Sequence, residues 1–507
     1  MEDQALLLPE NKQTIRKGPT WTLLLCVCAA GIGGTFQYGY NVSVINAPTE
    51  HIQGFLNATW WERYGVPLQP DFLTFLWSVV ASVFSLGGLC GAHLGGALAV
   101  RIGRKGALLA NNGIALLASL SMGLSFPTGL YELLILGRFL IGINTGVGLC
   151  VQPMYIGESA PKHLRGALAM GSSIFLTGGI LTGQVVGLRE LLGGPAYAPF
   201  LISSCWIPAV IQLLTLPWFP ESPRFLFLDR KQEEKCLKAL RSFHGGRGLV
   251  GHLEMEDIRR EGSATSSSAI LRPWQLFSRG RGLRWQVLFI VLLTCGQQLS
   301  GINAIYFYVG SVFEQAGIPK EKIPYATLGT GACECLTALT CGFLVESMGR
   351  RALILGGYTL MTVWCGLMTV SLTFQVPYLS MTCLFAFILS FGLGPGGVTN
   401  ILTMELFTQE ARPAAYMIAG SVSWISFFTI GMLFPFIVGG LGPFCFLVFL
   451  GVCGLVSLFL FLFLPETKGR SFLEIQAFFR QRSYGKPEGR AEHKDSETSR
   501  LRKEFFP

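Results

Sequence analysis

Acidic and basic residues recur at matching positions in two parts of the chain, and these residue types can form ion pairs. Each set contains two arginines and two glutamates, and the second set follows the first by 245 to 247 residues. The first set comprises Arg104, Glu158, Arg165 and Glu221. The second set comprises Arg350, Glu405, Arg412 and Glu466. The nearly constant offset indicates an internal repeat.

Ion pairs between these residues would be weak contacts of the kind that a switch needs. Each pair contributes roughly a few kcal/mol at most, which suits two states of similar energy. We expect Arg104, Glu158 and Arg165 to form one cluster and their counterparts to form the other. We also expect Glu221 and Glu466 to bind arginines across the boundary between the halves and so close a gate. The alternative is that the charges only mark the ends of helices.

Neutral amides and aromatic rings interrupt several apolar stretches of the chain. One stretch contains Gln297, Gln298 and Asn303, and two others contain Tyr38 and Trp424. An amide both donates and accepts hydrogen bonds, as a sugar hydroxyl does, and an aromatic ring can pack on the C–H face of a sugar. This chemistry favours an uncharged, polyhydroxylated ligand. For any single amide the alternative is a hydrogen bond between helices.

These side chains must be positioned by membrane-spanning helices, because the chain is too apolar for a soluble protein. Of its 507 residues, 50% are apolar and 14% are charged, whereas soluble chains carry about 25% charge. This composition excludes an ordinary soluble protein and a disordered one. It also argues against a transmembrane barrel, whose strands alternate apolar and polar residues. We therefore predict an all-α protein that crosses the bilayer several times.

Twelve apolar stretches are long enough to cross a bilayer as helices of about 20 residues. Numbered as spans 1 to 12, they lie near residues 21–45, 73–99, 106–126, 131–151, 167–188, 198–219, 285–313, 324–346, 352–373, 379–403, 413–438 and 443–464. The chain then divides into an arm (1–20), a first half of six spans (21–219), a central loop with short helices (220–284), a second half of six spans (285–464) and a tail (465–507). Two parallel six-span repeats are typical of transporters that bind substrate between the halves.

The basic residues predict how the spans are oriented. With residue 1 in the cytosol, 34 of the 39 Lys and Arg residues lie in the terminal segments and the even-numbered connections, and four lie in the odd-numbered connections. Basic residues favour the cytosolic side. We therefore predict a multi-pass protein of the cell membrane with both termini in the cytosol. The net charge of +9 then reflects topology and a weak attraction to anionic lipid, not nucleic-acid binding.

Short features of the chain bear on its processing. The first 20 residues are polar, so we expect no cleavable signal peptide. Asn57 begins an Asn-Ala-Thr sequon in the first extracellular connection, and we expect it to carry a glycan. None of the 14 cysteines lies in an extracellular connection, so we expect no disulfide framework. The string Leu6-Leu7-Leu8 follows acidic residues in the spacing of a sorting signal, although such strings are common.

Taken together, the motifs of the chain resemble those of the facilitative hexose transporters, in the sugar-porter branch of the major facilitator superfamily. The resemblance covers roughly residues 20–475 and rests on PMYIGESAPKHLRG, PESPR, QQLSGINAIYFY, VESMGRR, ELFTQEARPAA and PETKG. The fructose-type branch, class II, is the most similar, through FQYGYN and the surroundings of Asn400 and Ser423-Trp424. The resemblance implies the major facilitator fold, with twelve helices in two halves and a helical cytosolic loop.

The resemblance also implies a set of sugar-binding residues. The family's contacts fall on Gln297, Gln298, Asn303, Tyr38 and Trp424 of this chain, with Asn400 and Ser423 nearby. Two positions depart from the family's pattern: Ser173 replaces a Gln in span 5, and Glu334 replaces an Asn in span 8. In glucose-type members a Trp stands where this chain has Asn400, and its loss fits a wider or fructose-tolerant site.

The residues at two positions bear on whether transport is coupled to protons. Proton-coupled relatives carry an Asp where this chain has Asn41, and an amide cannot take up a proton at working pH. This favours passive uniport of glucose, fructose or both. Glu334 leaves three alternatives open: proton coupling, contact with the sugar, or a structural role.

The other functions that the sequence leaves open are a proton-coupled sugar symporter and a transport-inactive sugar sensor. We expect no enzyme activity, no cofactor and no metal, because no nucleophile, acid–base pair or metal cluster stands out in the sequence. The expected partners are a small hexose and membrane lipid, and we expect the protein to function as a monomer.

Overall fold

The computed structural model describes residues 18–161, 164–245, 251, 254–259, 271–278, 280–407, 411–468, 475 and 477–479. Within these residues every regular element is a helix. The Leu6-Leu7-Leu8 string and the end of the tail lie outside the described residues.

Ten helical stretches of the described chain are long and apolar enough to cross a membrane. The last of them, Pro413–Phe463, contains two successive helices, and the shorter apolar helix Gly171–Val186 lies between the fourth and the fifth. Counted in this way, the described part of the chain has the twelve spans that the sequence predicts, in the same order.

The first half consists of six spans in chain order. Their helices are Trp21–Ile32 and Thr35–Ser43 for span 1, Pro70–Ile102 for span 2, Arg104–Thr128 for span 3, Tyr131–Ser159 for span 4, Arg165–Val186 for span 5, and Ala198–Ser203 and Trp206–Thr215 for span 6. A further helix, Thr49–Tyr64, joins spans 1 and 2. The central loop contains the helices Glu233–His244 and Gln275–Ser278.

The second half repeats the arrangement of the first. Its helices are Arg281–Leu299 and Ile302–Gln315 for span 7, Ile323–Met348 for span 8, Arg350–Thr373 for span 9, Pro377–Leu393 and Pro395–Leu406 for span 10, Arg412–Leu441 for span 11, and Phe446–Phe463 for span 12. Spans 1 and 7, the first of each half, are both interrupted next to a glycine.

Two faces of the molecule are distinguished here by the connections that they carry. The loop face carries the central loop and the even-numbered connections, and the far face carries the helix Thr49–Tyr64 and the odd-numbered connections. The halves pack together through span 2 against span 11 and span 5 against span 8. The surface where the halves meet is called the seam below.

Small residues allow the helices of the two halves to approach closely at the seam. A Cβ atom on Gly88 in span 2 would lie 2.5 Å from the ring of Trp424 in span 11. Any side chain at position 88 would therefore push the two halves apart. At this point of the seam, a large ring of one half fills the space left by a glycine of the other.

Candidate substrate pathway

The break in span 7 positions two of the predicted amides. Gly301 separates the two helices of the span with φ of +106°, a conformation that residues other than glycine rarely adopt. Beyond the break, Asn303 Nδ2 donates to the backbone oxygen of Gln298 at 2.7 Å and to its side-chain oxygen at 2.6 Å. The structure therefore brings Gln298 and Asn303 together in one hydrogen-bonded pair, with Asn303 buried and Gln298 half-buried.

The neighbouring amide, Gln297, has a different partner. Its Nε2 donates to the backbone oxygen of Pro395 at 3.3 Å, directly after Gly394, where span 10 is broken. Gln297 therefore links two interrupted spans by a hydrogen bond between helices. This was the alternative interpretation of such amides in the sequence.

Two of the predicted aromatic residues meet across the seam. The ring of Tyr38 in span 1 contacts the ring of Trp424 edge-on, with 5.7 Å between the centroids. Phe84 and Phe427 pack around the same indole. Trp424 is only 7% exposed, so the aromatic rings are packed together between the halves and do not present an open ring face.

The remaining predicted site residues lie nearer the loop face. Ser173 and Asn400 are exposed, and Ser423 is half-buried beside Trp424. Ser173 lies one helical turn from Thr177, which is buried on span 5. Ser173 is therefore more accessible than Thr177 on the same helix.

Glu334 in span 8 is buried, with 6% of its surface exposed. Its Oε1 accepts a hydrogen bond of 2.8 Å from the hydroxyl of Tyr306 in span 7. The backbone oxygen of Tyr306 in turn accepts a hydrogen bond of 2.7 Å from Asn46 Nδ2, across the seam. Glu334 is thus connected, through Tyr306, to a hydrogen bond between the halves.

Further contacts hold the halves together towards the far face. Gln184 Nε2 donates to Thr330 Oγ1 at 3.1 Å, and Lys320 Nζ lies 3.0 Å from Glu50 Oε1. The conformation is therefore closed at the far face, while Ser173 and Asn400 are exposed on the loop side of the closure.

The contacts at the far face also shift the pKa values of two exposed groups. The hydrogen bond that Lys320 donates to the Glu50 carboxylate raises the pKa of Lys320. The Tyr325 hydroxyl donates to the carboxylate of Glu190 and, with a backbone hydrogen bond, lowers the pKa of Glu190. Both charged forms are therefore favoured by the closed arrangement.

A cleft of about 920 Å³ lies on the far face between the halves. Residues that line it include Asn46, Glu50, Gln184 and Lys320. None of the predicted sugar-binding residues lines this cleft, because the contacts between Asn46 and Tyr306 separate it from the break in span 7. In this conformation the cleft is an entrance on the far face that is closed off from the amide pair.

One predicted ion pair of each charge cluster is present near the loop face. Arg104 and Glu158 form an ion pair at 3.0 Å, and Arg350 and Glu405 form the corresponding pair at 3.0 Å. Each pair is largely buried, which strengthens the interaction relative to an exposed pair. The side chains of Arg165 and Arg412 lie outside the described residues.

In this conformation, which is closed at the far face, Glu221 and Glu466 bind backbone groups rather than arginines across the seam. Glu221 accepts hydrogen bonds from the backbone N–H groups of Lys105 and Gly106 at 2.9 to 3.3 Å, and Glu466 accepts from those of Arg350 and Arg351 at 3.1 Å. Each carboxylate thus binds the first N–H groups of span 3 or span 9, where the helix dipole favours negative charge. Both contacts stay within one half and do not cross the seam in this conformation.

Two hydroxyl residues complete the clusters and were missed in the sequence. Ser222 donates to Glu158 Oε2, and Thr467 donates to Glu405 Oε2 at 2.5 Å. The sequence does contain a signal for these two residues, because each directly follows a repeated glutamate, Glu221 or Glu466.

Arg138 in span 4 is a second feature whose role the sequence did not reveal. It is 1% exposed, and its guanidinium donates to the backbone oxygens of Asn41, Val80 and Ala81 at 2.9 to 3.4 Å. It also lies over the ring of Phe84, 4.9 Å from the centroid. Its partners in the structure are therefore carbonyl groups and an aromatic face. Its position as a lone arginine inside an apolar stretch was the available signal.

Comparison with known proteins identifies the family of the chain. The family model described as "Sugar (and other) transporter" matches residues 25–479. The chain belongs to this family. This confirms the resemblance that the motifs of the sequence indicated.

Several members of solute carrier family 2 are similar to this chain along most of its length and of theirs. The human facilitated glucose transporter member 11 is 51% identical over 458 residues, which cover 89% of this chain and 92% of the relative. Human member 9 is 44% identical, covering 93% and 88%, and human member 5 is 42% identical, covering 93% and 95%. These relatives are named as transporters, which confirms that this sugar transporter family member is a transporter rather than an enzyme.

Solved structures confirm the predicted fold. The xylose transporter XylE from E. coli in an inward open conformation has a TM-score of 0.76 with this chain at 22% identity, covering 90% of this chain and 99% of that one. The proton:xylose symporter XylE bound to 6-bromo-6-deoxy-D-glucose has a TM-score of 0.72 at 23% identity, with the same coverage. The sugar transporter family member therefore has the fold of the major facilitator superfamily and crosses the membrane many times.

Proposed function

We propose that the protein carries hexoses, glucose or fructose or both, down their concentration gradient by alternating access. The observation that carries this proposal is the Gln298–Asn303 pair at the break of span 7. These two amides offer donors and acceptors without charge, which matches a hexose. The naming of the relatives as facilitated glucose transporters supports the same substrate class.

The surroundings of Arg138 support passive transport. The Arg138 guanidinium donates to the backbone oxygen of Asn41, in span 1, at 2.9 Å. The side chain of Asn41 donates to Gln37. An amide at this position cannot exchange a proton with the arginine during transport. Uniport therefore needs no ion, cofactor or nucleotide.

A proton-coupled symporter is the second candidate, and Glu334 is the observation that favours it. A buried carboxyl group within a transporter can bind and release a proton. The two candidates differ in what sugar does to pH: symport acidifies the interior of a vesicle when sugar enters, and uniport does not. A Glu334→Gln variant whose uptake rate remains insensitive to external pH supports uniport.

We assign the sugar-binding residues in two groups. The proposed central group comprises Gln298 and Asn303, which pair beside the break of span 7, and Tyr38 and Trp424, which contact each other across the seam. Gln297 is proposed to orient span 10 against span 7. The second group lies on the loop side of the closure and would meet the sugar as it leaves: Ser173, Asn400 and Ser423. Glu334 reaches the sugar only if the Tyr306 hydroxyl moves away.

We propose that the charge clusters steady the loop-face ends of the helices and act in gating. Each ion pair ties spans within one half, and the backbone contacts of Glu221 and Glu466 do the same. Closing the loop face would bring the two clusters near each other across the seam. Arg165 and Arg412 belong to the proposed gate by their position in the repeat.

The loop face is proposed to be cytosolic in the cell membrane, with both termini on that side. The distribution of basic residues supports this orientation. It places the exposed Asn57, on the helix Thr49–Tyr64, outside the cell, where it can be glycosylated. The protein is proposed to function as a monomer in contact with membrane lipid, because the substrate path lies within one chain.

Uptake of labelled glucose and fructose into proteoliposomes tests the proposed function. The Gln298→Ala variant should lower uptake at low sugar concentration at least about tenfold, because it removes one hydrogen-bonding amide from the site. Gln315→Ala is the matched control, since it changes the same residue type in the same span away from the break. Failure of the unmodified protein to exchange either hexose would refute the function. Normal uptake by Gln298→Ala would remove only that residue from the site.

A further inference from the structure

The outer part of span 7 is held by hydrogen bonds on both sides of Tyr306. On one side, Tyr306 donates from its hydroxyl to Glu334 Oε1 at 2.8 Å. On the other, its backbone oxygen accepts from Asn46 at 2.7 Å, across the seam. Tyr306 thus joins span 8 of the second half to the end of span 1 of the first half.

The backbone beside this tyrosine departs from helical geometry. Tyr308, two residues further along, has φ of −132° and ψ of 27° within the helix Ile302–Gln315. The glycine break at Gly301 lies five residues before Tyr306. The segment that carries Tyr306 therefore lies between two interruptions of the helix, where a hinge needs little rearrangement of backbone hydrogen bonds.

Glu334 is placed to fix this segment rather than to neutralise a cation. No ion pair found in the described part of the chain includes Glu334, and its partner is a phenol. A carboxylate accepts a stronger hydrogen bond from a hydroxyl than a neutral amide does. One turn before Glu334, Thr330 accepts from Gln184 of the first half at 3.1 Å. Span 8 is therefore fastened to the first half at the same level.

We propose that Glu334 is a positioning residue for the conformational step: by holding the hydroxyl of Tyr306 it keeps the outer part of span 7 against span 1 and so favours the state that is closed at the far face. This inference rests on the proposed alternating-access transport. It assigns Glu334 a role that does not require contact with the sugar. It also explains how a carboxylate fits a site otherwise made of neutral groups.

The test measures how often the far face opens. Ser43 lines the cleft on the far face but is only 4% exposed, so a Ser43→Cys variant can report opening through a faster reaction with a membrane-impermeant maleimide applied from that side. The chain without Ser43→Cys gives the background from the native cysteines. Glu334→Ala and Tyr306→Phe are then combined with the reporter, singly and together. Leu336→Ala is the control, since Leu336 is on the same helix and 55% exposed.

Each single variant should raise the far-face labelling rate about tenfold, because a hydrogen bond to a charged group has been lost from the closed state. The double variant should react about as fast as either single variant, since both changes remove the same contact. Glu334→Gln should show a smaller increase, because its amide oxygen still accepts from Tyr306.

Transport kinetics give a second readout, which a merely structural role would not change in this way. The apparent affinity for sugar should rise at the far face and fall at the loop face, because the population of the two binding-competent states has shifted. If Glu334 contacts the sugar instead, affinity should fall on both sides while labelling without sugar stays unchanged. That result, or labelling equal to that of Leu336→Ala, overturns the proposal. If Glu334→Ala does not reach the membrane, Glu334→Gln and Tyr306→Phe still decide it.

A failure of the positioning role is distinguishable from a failure of the proposed function. In the first case the unmodified protein still exchanges hexose in proteoliposomes and only the variants behave unexpectedly. In the second case the unmodified protein shows no exchange at all.

Discussion

Replacement of Gly301 by Ala should destabilise the protein, because two costs arise at one position. The residue has φ of +106°, and the left-handed region costs an L-residue about 1–2 kcal/mol. An added Cβ would also lie 2.8 Å from the ring of Phe449 in span 12, and overpacking of this kind costs about 1–3 kcal/mol. The free energy of unfolding should therefore fall by about 2–5 kcal/mol.

The melting temperature of the purified protein in detergent measures this effect, and proteoliposome uptake shows whether the break matters for transport. Gly310→Ala is the matched control, because it lies in the same span with open space around its Cβ position, and alanine there favours the helix. Adding Phe449→Leu to Gly301→Ala should recover the packing part of the loss. Equal melting temperatures for Gly301→Ala and Gly310→Ala would show that span 7 is not broken as described.

Three further predictions concern the charges and the glycan. Glu405→Gln should lower the free energy of unfolding by about 1–3 kcal/mol, measured by thermal melting, since it leaves the Arg350 guanidinium largely buried with a weakened partner; no change would mean that the ion pair contributes nothing. The pKa of Glu190 is lowered in the closed state by Tyr325, so closure of the far face should weaken as the pH falls through that lowered pKa; the acid-induced rise in Ser43→Cys labelling, divided by the reaction rate of a free thiol at the same pH, should be smaller in Glu190→Gln, and an identical rise would exclude Glu190 as its cause. Asn57→Gln should increase mobility on an electrophoretic gel, as enzymatic removal of glycans does, and unaltered mobility would show that Asn57 carries none.

Much of the fold could be predicted because each of its signals is local in the sequence. A span needs about 20 apolar residues, and twelve such stretches correspond to the twelve spans of the structure. The Arg104–Glu158 and Arg350–Glu405 pairs follow from a repeat that places opposite charges near the same helix ends. The repeat makes these partners predictable even though other charged groups, such as Asp229 beside Arg104, lie nearby.

The partners of other residues could not be predicted, because backbone groups compete for them. Glu221 and Glu466 had arginines as obvious partners, yet each binds free N–H groups at the start of a helix. Gln297 was grouped with Gln298, yet it donates to the backbone oxygen of Pro395, beside the break in span 10. Such groups are exposed only by helix ends and breaks, whose exact positions a hydropathy pattern does not define.

The conformation could not be predicted either, since the sequence encodes both states of a transporter that alternates. Which face is closed depends on a small difference in free energy between two packings of the same seam. The contact between Asn46 and Tyr306 shows which packing the structure has. No periodicity or motif in the sequence distinguishes it from the other.

Each half of the molecule also makes side-chain contacts with the polar segment that follows it in the chain. Asp229 of the central loop forms an ion pair of 3.0 Å with Arg104 of the first half, and Phe479 of the tail packs edge-on against Phe289 of the second half. The halves therefore resemble two self-contained modules that share one polypeptide. Two separately synthesised fragments, divided between residues 259 and 271, should accordingly find each other in a bilayer and reconstitute a working carrier.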